Sequence, residues 1–230
     1  MKPCRLASRS RTAVSAMVGL GAALLLAACA NNPPPPDWQL NAKGSLERAT
    51  EAYLVGNDRV EATEFARARA ELARTGRADL LARAELMRCA ARVASLVFDD
   101  CPGFAELAQD AAPAERAYAD YLAGKSTAQS NAQLPPVQRD VAAAGASADA
   151  VGRVSDPLSR LVAAGVALRT GRAEPALFAV AAETASSQGW RRPLLAWLSL
   201  QLQRAQAAGE TAEAARLRRR IERVAGAARP

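Results

Sequence analysis

The chain has 230 residues, of which 50% are hydrophobic and only 4% are aromatic, and its formal net charge at pH 7 is +7. It contains no histidine, which removes the commonest general base and metal ligand, so Ser-His or Cys-His catalysis and histidine metal sites are excluded. Helix-favouring residues dominate, and alternating strand patterns and Asn-Gly hairpin signals are absent. The composition therefore predicts an all-α protein.

The first 28 residues have the organisation of an export signal. Residues 1–12 carry four positive charges, and 13–28 are apolar over a length typical of a signal peptide but short for a membrane-spanning helix. Without those four charges the net charge falls to about +3, which does not indicate a nucleic-acid partner. The residues that end the apolar run are Leu26, Ala27, Ala28 and Cys29.

This order of charged start, apolar run, small residues and cysteine resembles the bacterial lipobox. The resemblance implies that the leader is removed and that Cys29 becomes the mature N-terminus, carrying a diacylglyceryl group and an N-acyl chain. Each buried methylene contributes about 0.8 kcal/mol, so several acyl chains hold a protein durably on a membrane. Ala30 stands where a retention aspartate would stand, which implies the periplasmic side of the outer membrane. The alternative is an uncleaved anchor with an incidental cysteine.

A proline-rich segment follows the cysteine. Pro33 to Pro36 are consecutive prolines, and such a run favours the extended polyproline II conformation. Residues 29–42 are therefore predicted to form a stiff tether that holds the folded part close to the membrane.

The next region, 43–123, is predicted to be helical. Its apolar spacing indicates helices over 43–55, 58–74 and 78–97, the second capped by Asp58 and the third burying Met87 on its apolar stripe. A turn is expected over 99–103, where Asp99 and Asp100 are interpreted as turn residues. Shorter helices are then predicted over 104–109 and 113–122.

Residues 124–155 are predicted to be a linker, with a polar loop over 124–133 and weak helical character over 137–153. The C-terminal region, 156–227, has clearer signals. Asp156 and Pro157 are typical of a helix cap and first turn. Further helices are predicted over 173–187, from Pro193 to Gly209, and over 211–225.

An internal repeat supports helical hairpins. The sequence Arg-Thr-Gly-Arg-Ala occurs twice, over 74–78 and 169–173, and its glycine is expected to end a helix in the left-handed conformation. Small residues follow two of the turn glycines five positions later, at Ala176 and Ala214, and are expected where paired helices cross closely. The spacing resembles tetratricopeptide-like repeats, which implies stacked antiparallel hairpins, as an α-solenoid or an irregular bundle. The turn glycines at 171 and 209 are 38 residues apart, more than the family's usual spacing, and its full consensus is absent.

Two cysteines remain after the leader and the lipid site, namely Cys89 and Cys101. An even pair in an exported protein predicts a disulfide, provided that the preceding helix ends near Phe98 and the chain turns straight back. No metal site is predicted, because two cysteines without histidine do not form a zinc set.

The last predicted helix is strongly basic. It is interpreted either as a solvated face or as a contact surface for anionic lipid or an acidic partner. Its arginines are Arg216, Arg218, Arg219, Arg220 and Arg223.

No catalytic set, phosphate loop or small-molecule site is recognised, so catalytic residues and cofactors other than the Cys29 lipid are not predicted. The preferred hypothesis is a non-catalytic, lipid-anchored module that binds an envelope protein or peptide. The alternative is a structural envelope protein that contacts peptidoglycan or anionic lipid through the basic helix.

Overall fold

The computed structural model describes residues 34–226, and this part of the chain folds into helices without any strand. The all-α prediction is therefore confirmed. From Trp38 onward the described residues form one compact unit, so the predicted N-terminal, linker and C-terminal regions share a core. The helices are α1 (Asp37–Val55), α2 (Asp58–Ala73), α3 (Ala78–Ala94), α4 (Pro102–Ala105), α5 (Pro113–Leu122), α6 (Ala128–Asn131), α7 (Pro136–Ala143), α8 (Ala148–Gly152), α9 (Pro157–Arg169), α10 (Pro175–Ser187), α11 (Arg191–Ala207) and α12 (Thr211–Gly226).

The helix starts follow local capping chemistry. The Oδ2 atom of Asp156 accepts the N–H of Ser159 at 2.7 Å, which confirms the predicted cap of α9. The predicted cap at Asp58 is wrong: the side chain of Asn57 accepts the N–H of Val60, and Asp58 is the first helical residue. Asn and Asp cap equally well, so composition alone does not decide between these neighbours.

Other boundaries also differ from the predicted ones. Helix α1 begins at Asp37, so residues 37–42 are helical and do not belong to an extended tether. The predicted loop over 124–133 contains α6, because Thr127 and Ser130 form a reciprocal capping box. Helix α11 begins at Arg191, two residues before the proline that was expected to open it.

The two copies of the repeated pentapeptide form the same turn. Gly76 and Gly171 have φ values of 66° and 68°, the left-handed conformation that glycine adopts without a Cβ penalty. One turn connects α2 to α3 and the other connects α9 to α10, and in each case the two helices pack together. Short connections make such neighbours antiparallel, so these are the predicted helical hairpins. Ala214 is buried as expected, but Ala176 is exposed and does not lie at a crossing.

The centre of the molecule is the contact between α3 and α9. Gly165 of α9 lies directly against the backbone of α3, where an added Cβ would overlap the carbonyl oxygen of Val93. Glycine is therefore required for the close approach of the two backbones. Apolar side chains of α3, α9, α10 and α11 extend the core from this point.

The C-terminal helices are joined to the N-terminal ones by specific contacts. Trp197 of α11 is fully buried, and its indole N–H donates to the carbonyl oxygen of Ala94 at the end of α3, at 3.1 Å. Arg192 donates through Nε to the carbonyl oxygen of Tyr53 in α1 at 2.7 Å. Each of these hydrogen bonds joins residues that lie more than a hundred positions apart in the sequence. Each also gives a buried or half-buried polar group its partner.

Within residues 34–226, no helix combines the length and apolar character that a membrane crossing requires.

Candidate functional site

Helix α3 forms the floor of a surface groove. Its inner side packs on α9, while Leu80, Arg83 and Met87 follow one another at helical spacing between α1 and α5. The predicted burial of Met87 is wrong, since this residue is 42% exposed. The physical reason is that α3 turns Leu86 and Val93 toward the core, which leaves Met87 on the outer side.

The first part of the groove lies between α3 and α5, and we refer to it as the α3–α5 pocket. It has a volume of about 390 Å³ and a mainly apolar lining. Leu86 and Met87 line it from α3, Tyr118 from α5, and Leu134 and Pro135 from the segment that precedes α7. Concave, mostly apolar pockets with a few polar groups are typical of binding sites.

The second part, the α1–α3 pocket, lies on the other side of α3. Its volume is about 430 Å³, and its apolar walls include Trp38 and Leu46 from α1 and Leu80 from α3. Met87 lines both pockets, so they meet over this side chain. We call the two pockets together the α3 groove. Methionine is flexible and polarisable, which suits a surface that has to adapt to a partner.

Buried glutamates paired with arginines connect the helices around the groove. Glu61 of α2 accepts two hydrogen bonds from Arg88 of α3, at 2.7 and 3.2 Å. Glu64 of α2 accepts from Arg48 of α1 at 3.0 Å and from Arg67 at 2.6 Å. Removing one partner of such a pair leaves an uncompensated charge, so these pairs fix the helices relative to one another.

Two further pairs of this kind also involve α3. Arg69 donates to Glu85, and Arg83 donates through Nε to Glu115 Oε1 at 2.5 Å. Sequence reasoning did not identify these inward-facing acids. The available signal was that α2 has only three large apolar residues, Val60, Phe65 and Leu72, which are too few to cover a whole buried face without charged pairs.

Glu115 differs from Glu61 and Glu64 because one of its oxygens is fully buried and has no hydrogen-bond partner among the described residues. Its side chain is 4% exposed, and Oε2 receives no hydrogen bond. The same side chain lines the α3–α5 pocket. The pocket therefore combines mainly apolar walls with a buried hydrogen-bond acceptor that has no partner among the described residues.

The pKa shifts of two residues favour a stable charge pattern in this part of the molecule. Hydrogen bonding to Arg48 lowers the pKa of Glu64, which keeps that carboxylate ionised. Burial, together with Tyr121 and Asp156, raises the pKa of Tyr118 well above its usual value. The Tyr118 hydroxyl therefore stays neutral at physiological pH, and the α3–α5 pocket gains no phenolate charge.

The predicted cysteine pair is brought together at the C-terminal half of α3. Cys89 and Cys101 form a disulfide with their Cα atoms 5.8 Å apart. Helix α3 ends at Ala94, earlier than expected, and the chain reverses through Leu96, whose φ is 60°. Asp99 accepts the backbone N–H of Cys101 at 3.3 Å, which is the turn role assigned to it. Closing so short a loop stabilises the fold by about 3 kcal/mol in the chain-entropy model.

The basic residues of α12 lie on the terminal helix, which packs on α11. Arg216 is paired with Glu213, and Arg220 approaches Glu183 at 3.9 Å. Arg218, Arg219 and Arg223 are exposed and have no acidic partner within residues 34–226. The helix thus presents three uncompensated positive charges, fewer than the five that its sequence suggests.

The predicted lipidation site, Cys29, and the lipobox residues Leu26, Ala27 and Ala28 lie outside the described residues.

Comparison of the chain with protein-family models, with curated proteins and with solved structures gives no match. The class of the protein is therefore defined by its own structure. It is an all-α protein of packed helical hairpins, with a disulfide and an open apolar groove on α3.

Proposed function

We propose that this protein is a lipid-anchored, non-catalytic interaction module of the bacterial envelope, which binds a protein or peptide partner in the α3 groove. The observation that carries the proposal is the groove itself: two adjoining apolar pockets share the exposed Met87. Exposed apolar surface of this kind is retained in proteins mainly where a partner covers it.

The sequence before α1 supports an anchor close to this groove. Seven residues separate Cys29 from Asp37, where α1 begins. The eight steps from Cys29 to Asp37 would span about 25 Å in a polyproline II conformation, at about 3.1 Å per residue. Trp38 lies in the first turn of α1 and lines the α1–α3 pocket. A lipid on Cys29 would therefore keep the groove within a short distance of the membrane.

Lipidation is tested by metabolic labelling of the full chain with radioactive palmitate in a Gram-negative host. We expect label in the wild type and none in Cys29→Ala, because the thioether-linked lipid requires the sulfur. Cys4→Ala is the matched control and should keep the label. A wild-type chain that stays unlabelled and retains the mass of its leader would contradict the anchor.

Partner binding is tested by placing a photo-crosslinking amino acid at Met87 of the full chain in living cells. We expect illumination to give discrete higher-mass products from this position. Val60 is the matched control, because it is equally exposed, at 40%, but lies on α2 outside both pockets. Absence of products from Met87, or the same products from both positions, would exclude the groove as the binding surface.

The basic face of α12 supports a second candidate, a structural contact with anionic lipid or cell-wall polymer. Arg218, Arg219 and Arg223 are the observation that favours it, since they have no acidic partner in the described part of the chain. Crosslinked products from α12 positions in place of Met87 would favour this candidate.

A further inference from the structure

The unpaired oxygen of Glu115 indicates which chemistry the α3–α5 pocket recognises. We propose that this pocket binds the peptide group of an uncharged, apolar and extended segment of the partner, with Glu115 Oε2 accepting a backbone N–H. This inference rests on the proposed function, because it specifies the chemistry of the partner of the same groove. Three properties of the site support this assignment, namely an unused acceptor, a compensated charge and a mainly apolar lining.

Glu115 Oε2 has no donor among the described residues, so a bound molecule is needed to supply one. Glu61 and Glu64, which are buried to a similar degree, receive hydrogen bonds on both carboxylate oxygens. In Glu115 only Oε1 is bonded. A buried carboxylate oxygen without a donor is costly, and the cost disappears when a bound molecule supplies an N–H.

The charge at the site favours a neutral donor. Arg83 already compensates the carboxylate of Glu115, so a second cation would gain little from the pair and would be repelled by the guanidinium. The remaining N–H groups of Arg83 are available to a carbonyl oxygen, since Nε is the atom that contacts Glu115. An acceptor and a donor side by side match the N–H and C=O of one residue in an extended segment, because these two groups point to the same side of the chain.

The conformation of the bound segment follows from its free N–H. Inside a helix this group is already bonded to the carbonyl four residues earlier, whereas in an extended segment it is free. Most of the remaining lining, including Leu86, Met87 and Leu134, is apolar and suits the neighbouring side chains of the segment. Oε2 exposes less than 1 Å² of its surface, so a ligand reaches it only after a side chain of the pocket moves. Arg83 and Met87 line the pocket, are flexible, and are 60% and 42% exposed respectively.

The test uses two small probes that differ in one N–H. N-methyl-4-methylpentanamide carries a secondary amide on an apolar body, and its N,N-dimethyl analogue keeps the carbonyl but lacks the N–H. The full chain has three methionines, and Met1 and Met17 lie in the proposed leader. After the leader is removed, Met87 is the remaining methionine, so its methyl group reports on the groove alone. Each probe is titrated into protein in lipid nanodiscs, labelled with ¹³C at the methionine methyl groups and observed by NMR.

We expect the Met87 signal to shift with both probes and the secondary amide to bind roughly tenfold more tightly, as a hydrogen bond to a charged acceptor implies. In Glu115→Gln the carboxamide oxygen stays with Arg83 and its amino group replaces Oε2, so the acceptor becomes a donor. The preference for the secondary amide should then disappear. Glu64→Gln is the matched control, because it changes a buried paired glutamate outside both pockets and should keep the preference.

Equal binding of the two probes to the wild type would overturn the inference and indicate that only water satisfies Glu115 Oε2. A preference that survives Glu115→Gln would also overturn it, because the acceptor would then lie elsewhere. Absence of any Met87 shift would show that the pocket does not bind peptide groups. None of these results affects crosslinking at Met87 in cells, so failure of this inference is distinguishable from failure of the proposed function.

Discussion

Gly165→Ala is expected to lower the free energy of unfolding by about 3 kcal/mol, near the upper end of the range for over-packed cores. The new Cβ would overlap the carbonyl oxygen of Val93, which is backbone and cannot rotate out of the way. Helices α3 and α9 would have to separate, and the core around them would lose contacts. Urea denaturation followed by circular dichroism measures the change.

The matched control for this substitution is Gly152→Ala in α8. Nothing lies within 4 Å of a Cβ added at Gly152, and its φ is not positive. Alanine favours the helix by up to about 1 kcal/mol over glycine, so this variant should be as stable as the wild type or slightly more stable. Equal stability of the two variants would show that α3 and α9 do not approach as closely as described.

The second large effect is expected for Trp197→Ala, which should cost about 3–5 kcal/mol. The side chain is fully buried, contacts the ring of Phe178 with the centroids 6.0 Å apart, and donates to Ala94. Removing it leaves a large cavity and an unpaired carbonyl oxygen at the end of α3. The same denaturation experiment measures the loss.

Two variants separate the contributions of volume and hydrogen bonding at this position. Trp197→Phe keeps most of the apolar contact but removes the donor, so it should lose about 1–3 kcal/mol. Trp38→Ala, at a partly exposed position in α1, should lose less than Trp197→Ala. A Trp197→Ala protein as stable as Trp38→Ala would contradict the central role assigned to α11 in the core.

Much of the helical framework was predictable because its signals are local. The cap at Asp156 and the left-handed turns at Gly76 and Gly171 depend on residues within a few positions of one another. The Cys89–Cys101 pair was predictable for a related reason, since chain length limits how far two cysteines twelve residues apart can separate.

The candidate site was not predictable in the same way. Met87 fits the apolar stripe of α3 by its spacing and was expected inside, yet it lies in the groove. Which side of α3 faces the core depends on where α9 packs, and that contact joins residues far apart in the chain. The pairing of Arg83 with Glu115 depends in turn on the position of α5.

Sequence by itself therefore determined the helical class, the main hairpin turns and the cysteine pairing, because hydrogen bonds, caps and chain length act over a few residues. Only the tertiary structure decided that α3 lies at the centre, that Met87 is exposed and that Glu115 Oε2 has no partner among residues 34–226. The physical reason is that burial depends on the whole set of helix contacts, whereas the amphipathic pattern of one helix is compatible with several packing directions.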